Sequence, residues 1–540
     1  MKVSEFIIEE ISNYGTKDAF GIPGGVILPF LYALDNSDVT PHLTYHEQTA
    51  AFAACGYAQA SGNLGVAYAT RGPGICNMFT AIAEAYQESL PVIFVTAHGN
   101  RGEHNGQRFT ANQEMEIVKS VREITKYAAN IDTLEEVVSK TRCACKEAIS
   151  GRKGPVLIDV HAGLWDKEIC VANECASNKD LPGLETVLAE VRKEIESSSR
   201  PVLLIGEGLR HSCKKEILLE IANKLGIPIL SSRGSQDILS GSPYYYGYVG
   251  SHGIRYSNFI LSKADLILSV GNRLAFPHTS KSFSPILKQA KLIRIDIDPY
   301  ELNSKIKGEI SYNVDVKQIL RNIEHREFKL GVKKKWLEVC ESLKDELEDE
   351  DCVEPVKKIE EFISKQSSSN VYVCDVGNNE FWFSRAYEKC QCVDVVLISK
   401  SFGTLGASIG KAIGAYHATG KSVVCVVGDQ GLQYNIQEFQ YIALHKIPIT
   451  ILVLNNKCSG MIADHEKNRF NGKLIHVTEN TEYSSPNFLS IAKAYGIEEK
   501  IVEIVVEEKW GLTPFLPKGN VCQDMSPALE EKRYAKLNRL

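Results

Sequence analysis

The sequence predicts an α/β protein built from three doubly wound, open parallel-sheet domains, residues 1–175, 185–335 and 355–540. Three observations predict it. Short continuous apolar runs recur through all three segments, each ending in glycine or a small polar or charged residue, as in Ser422–Val427 and Pro201–Gly206. Runs of this length read as strands buried on both faces, the condition of a parallel sheet. Helical stretches lie between them, so neighbouring runs form crossover units. Finally, 540 residues are too many for one core.

In the first segment, Val3–Tyr14 carries apolar residues near helical spacing, and Ala19–Ile22 reads as a strand that turns at Pro23-Gly24-Gly25. A helix over Leu28–Leu34 leads to a short apolar stretch before Tyr45-His46-Glu47-Gln48. The next helix, Thr49 to Ala60, is dominated by small residues, which implies close packing against a neighbouring backbone. Gly65–Thr70 is a strand turning at Arg71-Gly72-Pro73-Gly74 into a helix over Asn77–Tyr86; Pro91–Thr96 and Pro155–Val160 are further buried strands. Between them, Ala97–Arg108 is a polar, glycine-rich loop containing His98 and His104, with no third ligand fixed by spacing for a metal.

Strands in the middle segment are Pro201–Gly206, Ile227–Ser231, Asp265–Gly271 and Leu292–Asp298, with a helix over Lys214–Leu225. Gly206-Glu207-Gly208 lacks the full spacing of a dinucleotide fingerprint. The charged run Arg326–Asp351 reads as a solvated helix or linker. In the last segment, Asn370–Val376 is a strand ending at Gly377-Asn378-Asn379, and Gly403-Thr404-Leu405-Gly406 precedes a small-residue helix over Ala407–Ala418. Ser422–Val427 breaks at Gly428-Asp429-Gln430-Gly431, a helix follows over Ile436–Leu444, and Ile449–Leu454 ends at Asn455-Asn456. Beyond it, Cys458–Ile462 leads into the polar stretch Ala463–Lys473, and the tail holds Trp510 and Asp524-Met525-Ser526-Pro527, which are expected over a pocket entrance.

Composition narrows the class. An apolar fraction of 44% and a charged fraction of 24% are those of a globular protein. Sixty-one basic against 67 acidic side chains, without a basic tract, argue against nucleic acid as a partner. No apolar stretch reaches membrane-spanning length, and Met1–Ser12 lacks an export-signal pattern. Fifteen cysteines are too dilute for a disulfide scaffold, and Cys374 and Cys425 lie in apolar runs that suit packed thiols. The expectation is a cytoplasmic protein.

Ligands of open α/β sheets sit beyond the carboxyl ends of the strands. Asp429 and Asn456 close two successive strands of one crossover unit, so they share a rim a few ångströms apart. One carboxylate and one amide oxygen beside a glycine turn suit a hard cation such as magnesium with phosphate oxygens. Read singly, the bland alternatives hold: an ordinary turn at Asp429, a helix cap at Glu47, a core leucine at Leu405.

Together the pieces resemble the thiamine-diphosphate (ThDP) enzymes, and specifically the acetolactate synthase group within that pyruvate oxidase/decarboxylase-like architecture. The resemblance runs through Gly428-Asp429, Asn435, Gln437-Glu438, Pro448 and Asn455-Asn456, then His46-Glu47-Gln48, Gly56-Tyr57, Gly72-Pro73-Gly74 with Asn77, and Ala85-Tyr86 with Pro91. The middle segment adds Pro243–Gly250, His252-Gly253, Gly271-Asn272-Arg273 and Asp296-Ile297-Asp298. One departure is Gln430, where the family triplet has glycine.

The resemblance implies a pyrimidine-binding domain, a central domain and a diphosphate-binding domain, in that order. It implies that Asp429, Asn456 and the backbone carbonyl of Cys458 hold Mg2+, with Gly428 and Gln430 at the diphosphate. Leu405 becomes the wedge that bends the cofactor, and Gly403 steadies its amino group. Pro23, Gly24 and Asn77 join the cofactor site, and Glu47 becomes the catalytic acid against N1′ of the aminopyrimidine, across a subunit boundary. A carboxyl shielded from water can share that proton. Gly25, His98, Gln113, Met461 and Ile462 are the implied substrate pocket. FAD is conceivable in the central domain, but the residues after Arg273 are Leu274-Ala275-Phe276-Pro277 rather than the usual basic and acidic ones, which weighs against it.

The implied function is decarboxylation of a 2-oxoacid, with pyruvate favoured, and transfer of the acyl carbanion to a carbonyl acceptor, in a homodimer or homotetramer with active sites between subunits. The alternative is a simple decarboxylase or C–C lyase acting on another, polar or anionic substrate. It draws on the lengthened 97–114 loop and on Asn112-Gln113-Glu114, where relatives have Phe-Gln-Glu. A remote third reading is an inactive ThDP-fold assembly protein.

Overall fold

The computed structural model describes residues 1–99, 112–171, 184–250, 252–275, 289–304, 306, 308–324, 330–347, 353–366, 369–390, 392 and 394–507. Three parallel sheets succeed one another along the chain. The first contains β1 (Asp18–Gly21), β2 (Thr40–Leu43), β3 (Gly65–Tyr68), β4 (Val92–His98), β5 (Tyr127–Ile131) and β6 (Val156–His161), in the order β2-β1-β3-β4-β6-β5. The second contains β7 (Pro201–Ile205), β8 (Ile229–Ser232), β9 (Tyr245–Val249), β10 (Leu266–Val270), β11 (Lys291–Asp296) and β12 (Ile310–Asn313), in the order β12-β11-β10-β7-β8-β9. The third runs β14-β13-β15-β16-β17, from β13 (Val371–Cys374), β14 (Val395–Ile398), β15 (Val423–Gly428), β16 (Ile449–Asn455) and β17 (Ile501–Val505).

Each order changes direction at its centre, between β1 and β3, between β7 and β10, and between β13 and β15, and the first sheet changes again at its edge, where β6 lies between β4 and β5. A crevice opens at such a switch point beyond the strand ends, and that is where ligands enter open α/β sheets. The central strands β3, β4, β7, β10 and β13 are buried throughout, which is why their sequences are largely apolar. Among the edge strands, β5, β12 and β17 are only partly covered.

The first and third sheets share one core. It is centred on helix Glu47–Ser61 crossing helix Ser408–Thr419. The small residues of the first helix meet small residues of the second: a Cβ on Gly56 would overlap the carbonyl of Lys411, and one on Gly414 the carbonyl of Ala53. Close backbone approach is therefore what the Ala- and Gly-rich composition achieves here.

Two sequence expectations change. Part of the charged run is an amphipathic helix, Lys334–Leu347, which buries Trp336, Cys340, Leu343 and Leu347 against the second domain; residues 348–351 lie outside the described residues. The polar stretch after Ile462 is helical over Gly460–Arg469, because its exposed face needs no apolar residue. No described cysteine is in a disulfide, and no described helix is long and apolar enough to cross a membrane.

Candidate active site

At the β13/β15 switch point, β15 ends at Gly428 and the next residue opens helix Asp429–Gln433. Gln430 occupies the second position of that helix, where a side chain meets no backbone conflict, so glycine is not required there. Asp429 is buried. Its Oδ2 accepts from the hydroxyls of Tyr483, at 2.6 Å, and Ser485. Burial pushes its carboxyl above the usual carboxylate range, against the pull of those hydrogen bonds.

The other oxygen, Oδ1, faces the side-chain amide of Asn456, which follows β16. One amide atom of Asn456 lies 3.2 Å from Asp429 Oδ1 and 2.8 Å from the carbonyl oxygen of Cys458. If that atom is nitrogen, it donates to both; if it is oxygen, three acceptors converge with no proton among them. Neighbouring ligands of an octahedral Mg2+ stand about 2.9 Å apart, given bond lengths of about 2.0–2.1 Å. The oxygen orientation therefore presents a donor set of the right kind and spacing for a hard divalent cation.

Beside it, Asp375 is buried at the end of β13 and accepts from the backbone N–H of Gly406 (3.0 Å) and Ser408 (3.3 Å) and the Ser408 hydroxyl (2.8 Å). This fixes the turn carrying Gly403 (φ +70°) and half-buried Leu405 on the same rim. Asn378 also lies here, against Gly460 and beyond β13. It is buried, yet neither its amide oxygen nor its amide nitrogen has a hydrogen-bond partner among the described residues. A buried amide left unpaired on a ligand rim is a polar cradle awaiting an occupant.

At the β1/β3 switch point, Glu47 is the first residue of its helix, capped by the ring of His46, whose Nδ1 accepts from the N–H of Gln48 at 3.1 Å. Half-buried Glu47 accepts from the side-chain amide of Asn77 through Oε2 at 2.9 Å. Gly74 lies beside it. Gly24 packs where a Cβ would strike Thr70, exposed Pro23 precedes it, and Gly25 faces open space. Glu47, Asn77 and the Pro23–Gly25 turn are thus gathered on the first sheet's rim, as Gly403, Leu405, Gly428, Asp429, Gln430, Asn456 and Cys458 are on the third's.

The residues expected at the substrate are less uniform. His98 ends β4 as a buried ring with Nε2 2.9 Å from Asp132 and Nδ1 3.2 Å from Asp159, so both nitrogens already face carboxylates. Gln113 is exposed at φ +57°, with its backbone carbonyl against Gly72. Met461 and Ile462 are exposed on helix Gly460–Arg469. Asn112 is exposed; residues 100–111 with His104, Phe276-Pro277, Trp510 and Asp524-Met525-Ser526-Pro527 lie outside the described residues.

The second sheet's switch point holds a cavity of about 270 Å³, lined among others by Gly206, Gly208, Gly271 and Arg273. Arg273 is already engaged there, donating to the carbonyl of Gln87 at 3.3 Å and to the Ser401 hydroxyl.

Sequence reasoning missed Asn378, Tyr483 and Ser485. Asn378 did carry a signal, since it stands at a strand end within Gly-Asn-Asn, like Asn456. The two hydroxyls reach Asp429 only through the fold.

Comparison with known proteins agrees with this geometry. Residues 1–120 match the N-terminal TPP binding domain of thiamine pyrophosphate enzymes, residues 188–323 their central domain, and residues 375–514 their C-terminal TPP binding domain. Among curated relatives, the probable acetolactate synthase large subunit of Methanocaldococcus jannaschii is 33% identical over 526 residues, covering 92% of this chain and 87% of that protein. Its namesake from Methanococcus aeolicus is 31% identical, covering 93% of this chain and 88% of that one. Acetolactate synthase isozyme 2 large subunit of Escherichia coli is 28% identical, over 92% and 90%. The three matched domains and these relatives show that the chain belongs to the thiamine pyrophosphate enzyme family, in its acetolactate synthase-like group.

Proposed function

We propose that this chain is a ThDP- and Mg2+-dependent carboligase/lyase that decarboxylates a 2-oxoacid, pyruvate first, and transfers the acyl unit to a second carbonyl compound. The observation that carries the reading is the convergence of Asp429 Oδ1, the Asn456 amide and the Cys458 carbonyl at the third sheet's switch point. In this reading those three groups hold Mg2+, and Gly428, Gln430 and the unpaired amide of Asn378 receive the diphosphate. When bound, the cofactor supplies a nucleophilic carbon and an acceptor for the electron pair released with carbon dioxide. Leu405 and the Gly403 carbonyl would hold its bent shape, as an apolar wedge and a hydrogen-bond acceptor. Glu47, oriented by Asn77, would hold and release a proton at its carboxyl toward the cofactor's ring nitrogen, with Pro23 and Gly24 on the same rim.

Support for a working unit of at least two chains comes from the rims themselves. Glu47 is only half-buried, and Tyr45, Met115, Phe402, Tyr434, Met461 and Ile462 are all exposed, as expected of surfaces that a second copy covers. Flavin is left out of the reading, since Leu274-Ala275-Phe276-Pro277 follow Arg273 in place of the usual basic and acidic residues.

Carbon dioxide release from a panel of 2-oxoacids with ThDP and Mg2+ tests the proposal, followed by product analysis with added aldehydes and ketones. Pyruvate consumption with a hydroxy-ketone product is the expected result. An aldehyde alone, or preference for a larger anionic oxoacid, would favour the simple decarboxylase or lyase, for which Arg71 on the first sheet's rim would supply a cation. Silence with every oxoacid would leave an assembly protein.

A further inference from the structure

Away from both rims, the first and third domains meet at a cluster of Asp18, His42, His417 and Tyr441. Asp18 opens β1, at the opposite end from the Pro23–Gly25 turn, and His42 lies in β2 beside Phe20 in register. His417 is nine residues beyond Ser408 in its helix, about 14 Å from the rim at about 1.5 Å per residue. The side chains of Asp18, His42 and His417 are only 13%, 8% and 14% exposed.

Asp18 Oδ1 stands 2.8 Å from His42 Nε2 and 3.5 Å from His417 Nδ1. The other nitrogens of both rings converge on one hydroxyl, Tyr441, at 3.0 Å from His42 Nδ1 and 2.9 Å from His417 Nε2. The rings themselves lie 3.9 Å apart, centroid to centroid. Three of these contacts are hydrogen bonds, for which two neutral imidazoles and a phenol carry the three protons; in the fourth, His417 Nδ1 stands 3.5 Å from Asp18 Oδ1, leaving a carboxylate oxygen and two ring nitrogens facing one another in a buried corner.

We propose that this corner binds a divalent transition ion of the zinc class, through Asp18 Oδ1, His42 Nε2 and His417 Nδ1. An ion there replaces the proton between Asp18 and His42 and bridges the longer contact to His417. The ring protons then sit on His42 Nδ1 and His417 Nε2, and both donate to Tyr441, the outer hydrogen bonding that orients metal-bound histidines. Donors of a tetrahedral zinc site stand about 3.3 Å apart, for bonds of about 2.0–2.1 Å, and the two measured separations bracket that value. Two imidazoles and one carboxylate suit zinc rather than Mg2+, which prefers oxygen. The ion is thus distinct from the one proposed at Asp429, and it ties the first domain to the third.

The test uses the full chain, stripped with a chelator, reloaded with ThDP and excess Mg2+, and then dialysed against Zn2+ in that same buffer. Uptake of about one zinc per chain is expected, with anomalous scattering at the zinc edge placing it between Asp18, His42 and His417. Asp18→Asn and His417→Gln, one in each domain, should each weaken uptake at least tenfold, while Tyr441→Phe should keep one ion at an affinity about 10–100-fold lower. No stoichiometric uptake by the parent, an anomalous peak at cysteines or elsewhere, or uptake by both ligand variants equal to the parent's would overturn the site. The parent crystal decides by itself if the variants do not fold.

Discussion

Asp429 is a buried carboxylate held by two hydroxyls on one oxygen and facing the Asn456 amide with the other. Such an oxygen is costly to keep charged unless a cation meets it. Asp429→Ala should therefore abolish Mg2+-dependent ThDP binding, and isothermal titration with unchanged affinity would refute the anchor. Glu47 calls for a subtler change. Glu47→Gln keeps the size and can still bond the pyrimidine and Asn77, but it cannot exchange a proton. It should bind cofactor normally while exchange of the cofactor's C2 proton into deuterated water, read by NMR, slows about 10²–10⁴-fold. Exchange at the parent rate would make Glu47 a structural carboxylate. Both residues were legible in the sequence because their spacing within motifs is local. Tyr483 and Ser485 were not, because each lies more than fifty positions beyond the carboxylate it serves, as their separations of 54 and 56 residues record.

Among the secondary-structure elements, legibility follows burial. Central strands had to be apolar on both faces and announced themselves, whereas β5, β12 and β17 sit at edges, mix polar residues into short runs, and did not. The small-residue helix was legible as a close contact, but its partner was not, since composition says that a backbone comes near without saying whose. That partner is helix Ser408–Thr419, which also opens at the candidate cofactor rim, so packing and site geometry are coupled through it. Gly414 lies against the backbone of Ala53 and Tyr57, neither of which can swing aside as a side chain could. Gly414→Ala should cost about 1–3 kcal/mol by forcing the helices apart, seen as a lower denaturant midpoint. An unchanged midpoint would mean that the two helices are not in contact at this crossing.

Across the whole molecule, two features bear on how the first and third domains make a site. The exposed apolar rim predicts association: sedimentation at assay concentration should find the active species well above the 59.9 kDa of one chain, and an active monomer would remove the subunit-boundary reading. The second feature is Glu438, fully buried between the domains, whose two carboxyl oxygens accept from the N–H of Tyr45 at 3.0 and 3.2 Å, two residues before Glu47. Burial pushes its carboxyl up to about 7 from an ordinary 4.5, although hydrogen bonds from Tyr45, Thr49 and His46 pull the other way. The folded protein therefore binds this proton more tightly than the unfolded chain does. The resulting stabilisation is complete below about pH 4.5 and is lost as pH rises through about 7, an effect on the order of 3 kcal/mol. Glu438→Gln keeps an oxygen for Tyr45 but does not titrate. Its Tm should fall relative to the parent's in acid and gain on it steadily between about pH 5 and about pH 8. A Tm difference that stays flat across that window would show that Glu438 keeps one charge state throughout, and that the docking of the Glu47 helix on the third domain does not depend on its proton.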